Sequence, residues 1–174
     1  MSATTLDGVL RLGTEPSRDE RGCFTRVFCA SHFAALGLDF MPRQTSVSHS
    51  AQRGTLRGLH FQRAPAGETK LVACVAGAAF DVVVDLRPTS PTYRAAVTTE
   101  LHAADGTAVL IPPGCAHGLL TLTDDTVVLY HIDRDYDPAR AAGARWNDPA
   151  FAIPWPFAPL VISTRDAAWP DHRA

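Results

Sequence analysis

No apolar stretch in the 174-residue sequence approaches the ~20 residues that a membrane-spanning helix requires; the longest runs only from Leu71 to Phe80. Nor is one sign of charge in excess, since 16 Lys and Arg stand against 18 Asp and Glu for a formal net charge of -2, with the basic residues scattered singly. A nucleic-acid or anionic-membrane partner is therefore not expected. The opening Met-Ser-Ala-Thr-Thr-Leu-Asp has neither the basic nor the apolar segment of a secretory signal, which predicts a cytoplasmic protein. Cysteine is sparse: Cys23, Cys29, Cys74 and Cys115 form no Cys-x-x-Cys pair. A chain of this size needs no disulfide staples, so buried, reduced thiols are the favoured reading, with Cys115 set apart because it lies inside the Gly106–His117 motif. Helical periodicity is also scarce. One short helix is predicted over Ala30–Gly37, where Ser31 caps, Phe33 and Leu36 lie three apart and a glycine ends the run.

What remains is the composition of a globular fold, 46% hydrophobic and 20% charged, at a length that fits one domain over residues 1–174. The 13 prolines and 12 glycines punctuate short runs rich in Val, Leu, Thr and Phe, a pattern that predicts an all-β fold. Strands are expected at 23–29, 44–50, 55–62, 69–76, 79–86, 95–101, 108–111, 118–122 and 126–132. Their spacing of about ten residues suits a sandwich, jelly roll or barrel. In Phe80-Asp-Val-Val-Val-Asp-Leu-Arg87, Phe80, Val82, Val84 and Leu86 share a core face, while Asp81, Val83, Asp85 and Arg87 share one that lines something polar. Residues 137–159, with five of the prolines and two tryptophans, read as an ordered loop laid over the barrel.

The strongest local signal is Gly106-Thr-Ala-Val-Leu-Ile-Pro-Pro-Gly-Cys-Ala-His117. A turn starts a short strand, Pro112 and Gly114 impose a tight bend, and His117 opens the next strand. This resembles the second half of the cupin pattern. The first half fits from Gly54 to His60, but Gln62 stands where a second histidine belongs and Glu68 comes late. The fold class expected is thus an all-β double-stranded β-helix, a cupin jelly roll with a few short helices, in which a metal would find only His60, His117 and Glu68.

The segment Gly54-Thr-Leu-Arg-Gly-Leu-His-Phe-Gln62 narrows the choice, together with Asp19-Glu-Arg-Gly22, Lys70-Leu-Val72, Ser90-Pro-Thr92, Arg145-Trp-Asn-Asp-Pro149, Ile153-Pro-Trp-Pro156 and Ser163-Thr-Arg-Asp166. In this order over nearly the whole chain, these motifs resemble the dTDP-4-dehydrorhamnose 3,5-epimerase family. The resemblance implies a jelly-roll homodimer that needs no metal or cofactor. It implies inversion at C3, C5 or both of a nucleotide-linked 4-keto-6-deoxyhexose, the dTDP form first among them, within deoxysugar biosynthesis.

Inversion beside a ketone needs a base, a cation for the enolate oxygen and an acid on the opposite face. By resemblance, His60 is the base, Asp166 its partner, Lys70 the cation at the enolate and Tyr130 the acid. Arg57 matches a pyrophosphate contact, His117 a substrate contact near the base, Gln44 and Ser48 polar positions on the neighbouring strand, and Tyr136 an aromatic stacked on the nucleobase. Arg21, Phe24 and Arg26 fall on the nucleotide side, where the N-terminal segment reaches toward the partner's site. Two readings come from the residues themselves. Lys70 in an otherwise apolar strand argues for an inward charge, and Tyr130 and His131, being adjacent on a strand, point to opposite faces, so at most one faces the pocket; the resemblance makes that one Tyr130. Asp81 and Asp85 fit either buried support or solvated positions.

Three departures from the family pattern, Arg26 for an acidic residue, Ser46 for an asparagine and Ala141-Ala142 for a segment with glutamate, raise the expectation of a different nucleotide or sugar with the chemistry kept. From another class, the same residues admit a metal-dependent cupin, such as a dioxygenase or sugar isomerase using His60, Glu68 and His117, or a non-catalytic sugar-binding cupin.

Overall fold

Alternating apolar residues build two sheets that close on each other, seen in a computed structural model that describes residues 1–172. The elements are β1 (Ser2–Ala3), β2 (Leu10–Gly13), β3 (Ser17–Asp19), β4 (Gly22–Phe24), α1 (Ala30–Ala35), β5 (Gln44–Ser50), β6 (Thr55–Gln62), β7 (Lys70–Ala76) and β8 (Ala78–Asp85). They continue with β9 (Ala96–His102), β10 (Thr107–Ile111), β11 (Cys115–Thr121), β12 (Thr126–Ile132), β13 (Ala141–Gly143), β14 (Val161–Ile162) and α2 (Thr164–Ala167). One sheet runs β1-β2-β10-β7-β12-β5 and the other β13-β6-β11-β8-β9, with β14 added parallel to β6. The β3–β4 hairpin stands apart. This is the expected all-β jelly roll, and among the described residues no helix is long and apolar enough to cross a membrane.

The core has three layers because both sheets are covered on their outer faces as well. Val72, Val109 and Val128 of the first sheet meet Val83, Leu101 and Leu119 of the second between the sheets. Outside the second sheet, Phe80, Val82 and Val84 pack under Trp146, Trp155 and Phe157 of the proline-rich segment. Outside the first, Leu71, Ala73 and Leu110 pack under Phe33 of α1 and Phe40. Each such aliphatic side chain contributes roughly 1.5–3 kcal/mol when taken fully from water.

This layering corrects the reading of β8. Its eight residues are all buried, so Val83 faces the inter-sheet core rather than a polar lining. Asp81 and Asp85 are support groups, the latter held by Arg87, Ser90 and Thr92. Residues 137–159 do lie over the second sheet, but the stretch contributes β13, and β14 and α2 follow it. The strand expected over 23–29 is only β4, because its partner β3 is three residues long. Ser31 does not cap α1: Cys29 holds the cap position in extended conformation with no side-chain cap bond. The cysteines are all free, yet Cys23 is exposed and Cys29 half-buried; only Cys74 and Cys115 lie in the core. Burial pushes the Cys115 thiol up to about 12, so it packs as a small inert side chain.

Candidate active site

A cleft of about 540 Å³ opens between the sheets, lined from one side by β6 and β11 and from the other by β5, β7 and β12. That is ample for a sugar with part of a nucleotide, within the range of about 300–1,000 Å³ typical of ligand sites.

Why β6 serves this cleft twice follows from a slip in its pairing. Arg57 and His60 are three residues apart and belong on opposite faces of a regular strand. Arg57 pairs with Leu119 but His60 with His117, so the register shifts by one between them and both side chains line the cleft. Gly58 makes the slip possible. Its φ is 120°, and a Cβ there would lie 2.6 Å from Gly118 Cα. The Arg-Gly-x-His run in the sequence is thus a bulge that aims two functional side chains the same way.

His60 Nε2 lies 2.7 Å from Asp166 Oδ1, and Asp166 Oδ2 accepts a 3.1 Å bond from the Gly58 amide. Asp166 sits on α2, whose first turn is capped by Ser163 Oγ accepting from the Asp166 amide at 3.0 Å. Burial works against the Asp166 charge, but the bonds from His60 and Gly58 outweigh it and hold the carboxyl below its usual range. With one imidazole nitrogen bonded to this carboxylate, the other retains a lone pair in the neutral ring.

On β11, His117 Nε2 lies 2.6 Å from Asp81 Oδ1, both buried. Its ring meets Tyr130 edge-on at 5.9 Å between centroids. Tyr130 projects from β12 in the opposing sheet, and burial pushes its hydroxyl up to about 12, so it remains a proton donor across the neutral range. His131, its neighbour, faces away, against Phe28 and Thr45. Lys70 is 8% exposed at the start of β7, with Nζ 2.9 Å from Glu68 Oε1. Arg57 is braced by bonds to Ser50 Oγ at 3.1 Å and the His49 carbonyl at 2.9 Å.

The cleft therefore brings together His60, Asp166, Lys70, Tyr130, Arg57, His117, Gln44, Ser48 and Tyr136. It does not include Ser46, Arg21, Phe24 or Arg26. Ser46 is exposed on β5 opposite Tyr130. Arg21 pairs with Asp19 on the hairpin, and Phe24 is 70% exposed there. Ala141 and Ala142, read from the sequence as a departure on the nucleotide side, do line the cleft, and so do Ile162 and Arg165, which sequence reasoning gave no role; the only local signal for Arg165 is the capped Ser-x-x-Asp turn at 163–166. The metal triad of His60, Glu68 and His117 does not form. Each is already bonded, to Asp166, to Lys70 and Gln62, and to Asp81 respectively. Among the described residues, no three His, Cys, Asp or Glu side chains are grouped to hold a metal ion.

A family model described as dTDP-4-dehydrorhamnose 3,5-epimerase matches residues 3–173. The chain belongs to this family. A dTDP-4-dehydrorhamnose 3,5-epimerase of Sinorhizobium fredii is 43% identical over 153 residues, covering 87% of this chain and 78% of the relative. A Streptomyces niveus relative, a dTDP-4-dehydrorhamnose 3-epimerase, is 39% identical over 162 residues, covering 92% and 78%. The crystal structure of the Bacillus anthracis 3,5-epimerase with TDP and pyrophosphate bound superposes with a TM-score of 0.94 at 38% identity, over 98% of this chain and 97% of that one.

Proposed function

We propose that the protein inverts C3, C5 or both of a dTDP-linked 4-keto-6-deoxyhexose, as an isomerase of deoxysugar biosynthesis. The observation that carries this reading is the His60–Asp166 pair, 2.7 Å apart on one wall, faced by a protonated Tyr130 on the other sheet. His60 takes the proton from the carbon beside the ketone, and the C–H electron pair moves into the carbonyl as an enolate. Asp166 stabilises the imidazolium, as a carboxylate does for any histidine base. Lys70 faces the enolate oxygen, and fixed cations are worth most in a cleft with little water. Tyr130 then gives its proton to the opposite face of the carbon, and exchange with solvent returns a proton to Tyr130 and removes one from the His60 imidazolium. Arg57 holds the pyrophosphate and Tyr136 stacks on the base; Gln44 and His117 contact the rest of the substrate.

The exposed β3–β4 hairpin fits a homodimer in which Arg21, Phe24 and Arg26 complete the nucleotide end of the partner's cleft. Its exposed phenylalanine and its separation from the protein's own cleft support that arrangement.

The test is NMR of dTDP-4-keto-6-deoxyglucose in heavy water. Deuterium entering at C3 and C5 is the expected result; entry at C3 alone gives a 3-epimerase, as the Streptomyces niveus relative is named. No enzyme-dependent exchange at either carbon overturns the reading. Running the CDP and GDP forms beside the dTDP form tests whether Arg26, Ser46 and Ala141–Ala142 alter nucleotide choice; equal turnover of all three, or a plain preference for dTDP, removes that idea.

A further inference from the structure

Lys70 is the only lysine in the sequence, and in the cleft its ammonium is not free. Its Nζ lies 2.9 Å from Glu68 Oε1 and 3.4 Å from the His60 carbonyl. The side chains of Lys70 and Glu68 are 11% and 10% exposed, so this is a largely desolvated pair rather than a surface contact. Glu68 is held in turn: its Oε2 accepts a 2.7 Å bond from Gln62 Nε2. Gln62, 4% exposed, also donates to the Ala66 carbonyl at 3.2 Å and the Asp135 carbonyl at 3.4 Å, while its Oε1 accepts from the Asp137 amide at 2.7 Å.

The amide of Gln62 is thus engaged at both ends, and two of the groups it grips, Asp135 and Asp137, flank Tyr136. A chain of bonds leads from the backbone around Tyr136, through Gln62 and Glu68, to the ammonium of Lys70.

We propose that Glu68 and Gln62 are positioning residues, Glu68 fixing the Lys70 ammonium where the enolate oxygen develops and Gln62 tying that ammonium to the segment that carries Tyr136. The proposal rests on the reading of Lys70 as the cation for the enolate. A flexible four-carbon stem leaves an ammonium many positions, and a carboxylate acceptor behind it removes most of them before substrate arrives. Glu68 does this with an oxygen acceptor, so a glutamine in its place retains the contact to Lys70 while turning its own amide donor on Gln62 Nε2 and losing that tie, whereas alanine keeps neither. Gln62 differs from Glu68 in reach, because it also supports the aromatic end of the cleft. Loss of Glu68 is felt at the reacting carbons, and loss of Gln62 is felt there and in substrate affinity.

Two measurements decide it. In lysine-¹⁵N-labelled protein the single ammonium gives one cross-peak in the wild type, slowed in its exchange with water by Glu68. Glu68→Ala abolishes or broadens this peak and Glu68→Gln restores it, independent of any turnover. In the heavy-water assay, Glu68→Ala lowers kcat about 10–100-fold with KM changed less than about threefold, Glu68→Gln recovers most of kcat, and Gln62→Leu lowers kcat and raises KM together. Thermal unfolding checks that the variants are folded; should Gln62→Leu fail to fold, the two Glu68 variants carry the test. An unchanged ammonium peak and wild-type kcat in Glu68→Ala overturn the proposal. A wild type that exchanges no substrate proton overturns the epimerase reading instead, while the ammonium peak still reports on Glu68.

Discussion

His60 and Tyr130 reach one cleft from different sheets, His60 from β6 and Tyr130 from β12. Facing sheets pack about 10 Å apart, which leaves room for one sugar ring between them. On the proposed reading, removal and return of a proton then fall on opposite faces of the ring.

Tyr130→Phe separates the two steps. The variant keeps the base and the enolate cation, so it still exchanges the carbon-bound proton with heavy water, but inversion falls by about 10²–10⁴-fold. His60→Ala loses both exchange and inversion. The ratio of deuterium incorporation to product formation, followed by NMR, is the measurement; a Tyr130→Phe variant with wild-type inversion contradicts the assignment.

Gly58→Ala tests the bulge that turns Arg57 and His60 to the same side. The added methyl meets the Gly118 backbone at 2.6 Å on a residue with φ of 120°. A destabilisation of about 1–3 kcal/mol is expected in urea unfolding. Activity falls further than stability, because the Gly58 amide that steadies Asp166 shifts with it. Leu59→Ala, one residue on and fully buried in the core behind the cleft, provides the contrast: comparable or greater loss of stability with a smaller loss of activity per folded molecule.

Asp85 sets a pH dependence of folding. Its full burial opposes the charge, but hydrogen bonds from Arg87, Ser90 and Thr92 prevail and hold the carboxyl well below the usual carboxylate range. A carboxyl that binds its proton more weakly when folded adds stability that is complete above the unfolded value, about 4, and lost as pH falls toward the folded value. Asp85→Asn is expected to cost about 3 kcal/mol at neutral pH. Urea unfolding of wild type and variant shows the gap closing below about pH 4; a gap that widens in acid refutes this origin.

The parts of the molecule legible in the sequence are those set by local rules. β7, β8 and β10 carry apolar runs punctuated by Gly or Pro and β12 one flanked by aspartates, and their ends fall within a residue or two of the expected ones. The Pro-x-Gly bend before His117 is equally local, and Tyr130 and His131 part to opposite faces because adjacent strand residues must. β13 and β14 have three and two residues, too few for any period, and exist only because β6 pairs with them. The burial of both faces of β8 is equally non-local, since it depends on Trp146 and Trp155 arriving from the far end of the chain. Glu68 was visible as an acidic residue near the site, but its engagement with Lys70 and Gln62 instead of a metal is decided by three-dimensional contacts. The position of the hairpin bearing Arg21, away from the protein's own cleft, is not legible in its residues, because nothing in that short segment specifies which surface it meets.

The bond between His60 and Asp166 spans 106 residues of chain. Contacts of such separation close late in folding, after local hairpins have formed. His60 thus acquires its carboxylate partner only when the C-terminal turn docks on β6, so the appearance of activity during refolding marks the completion of the topology rather than the collapse of the barrel. Strand formation followed by circular dichroism will run ahead of recovered turnover, and the part of the lag that does not change with protein concentration, and so is not dimer assembly, times the docking of the final turn.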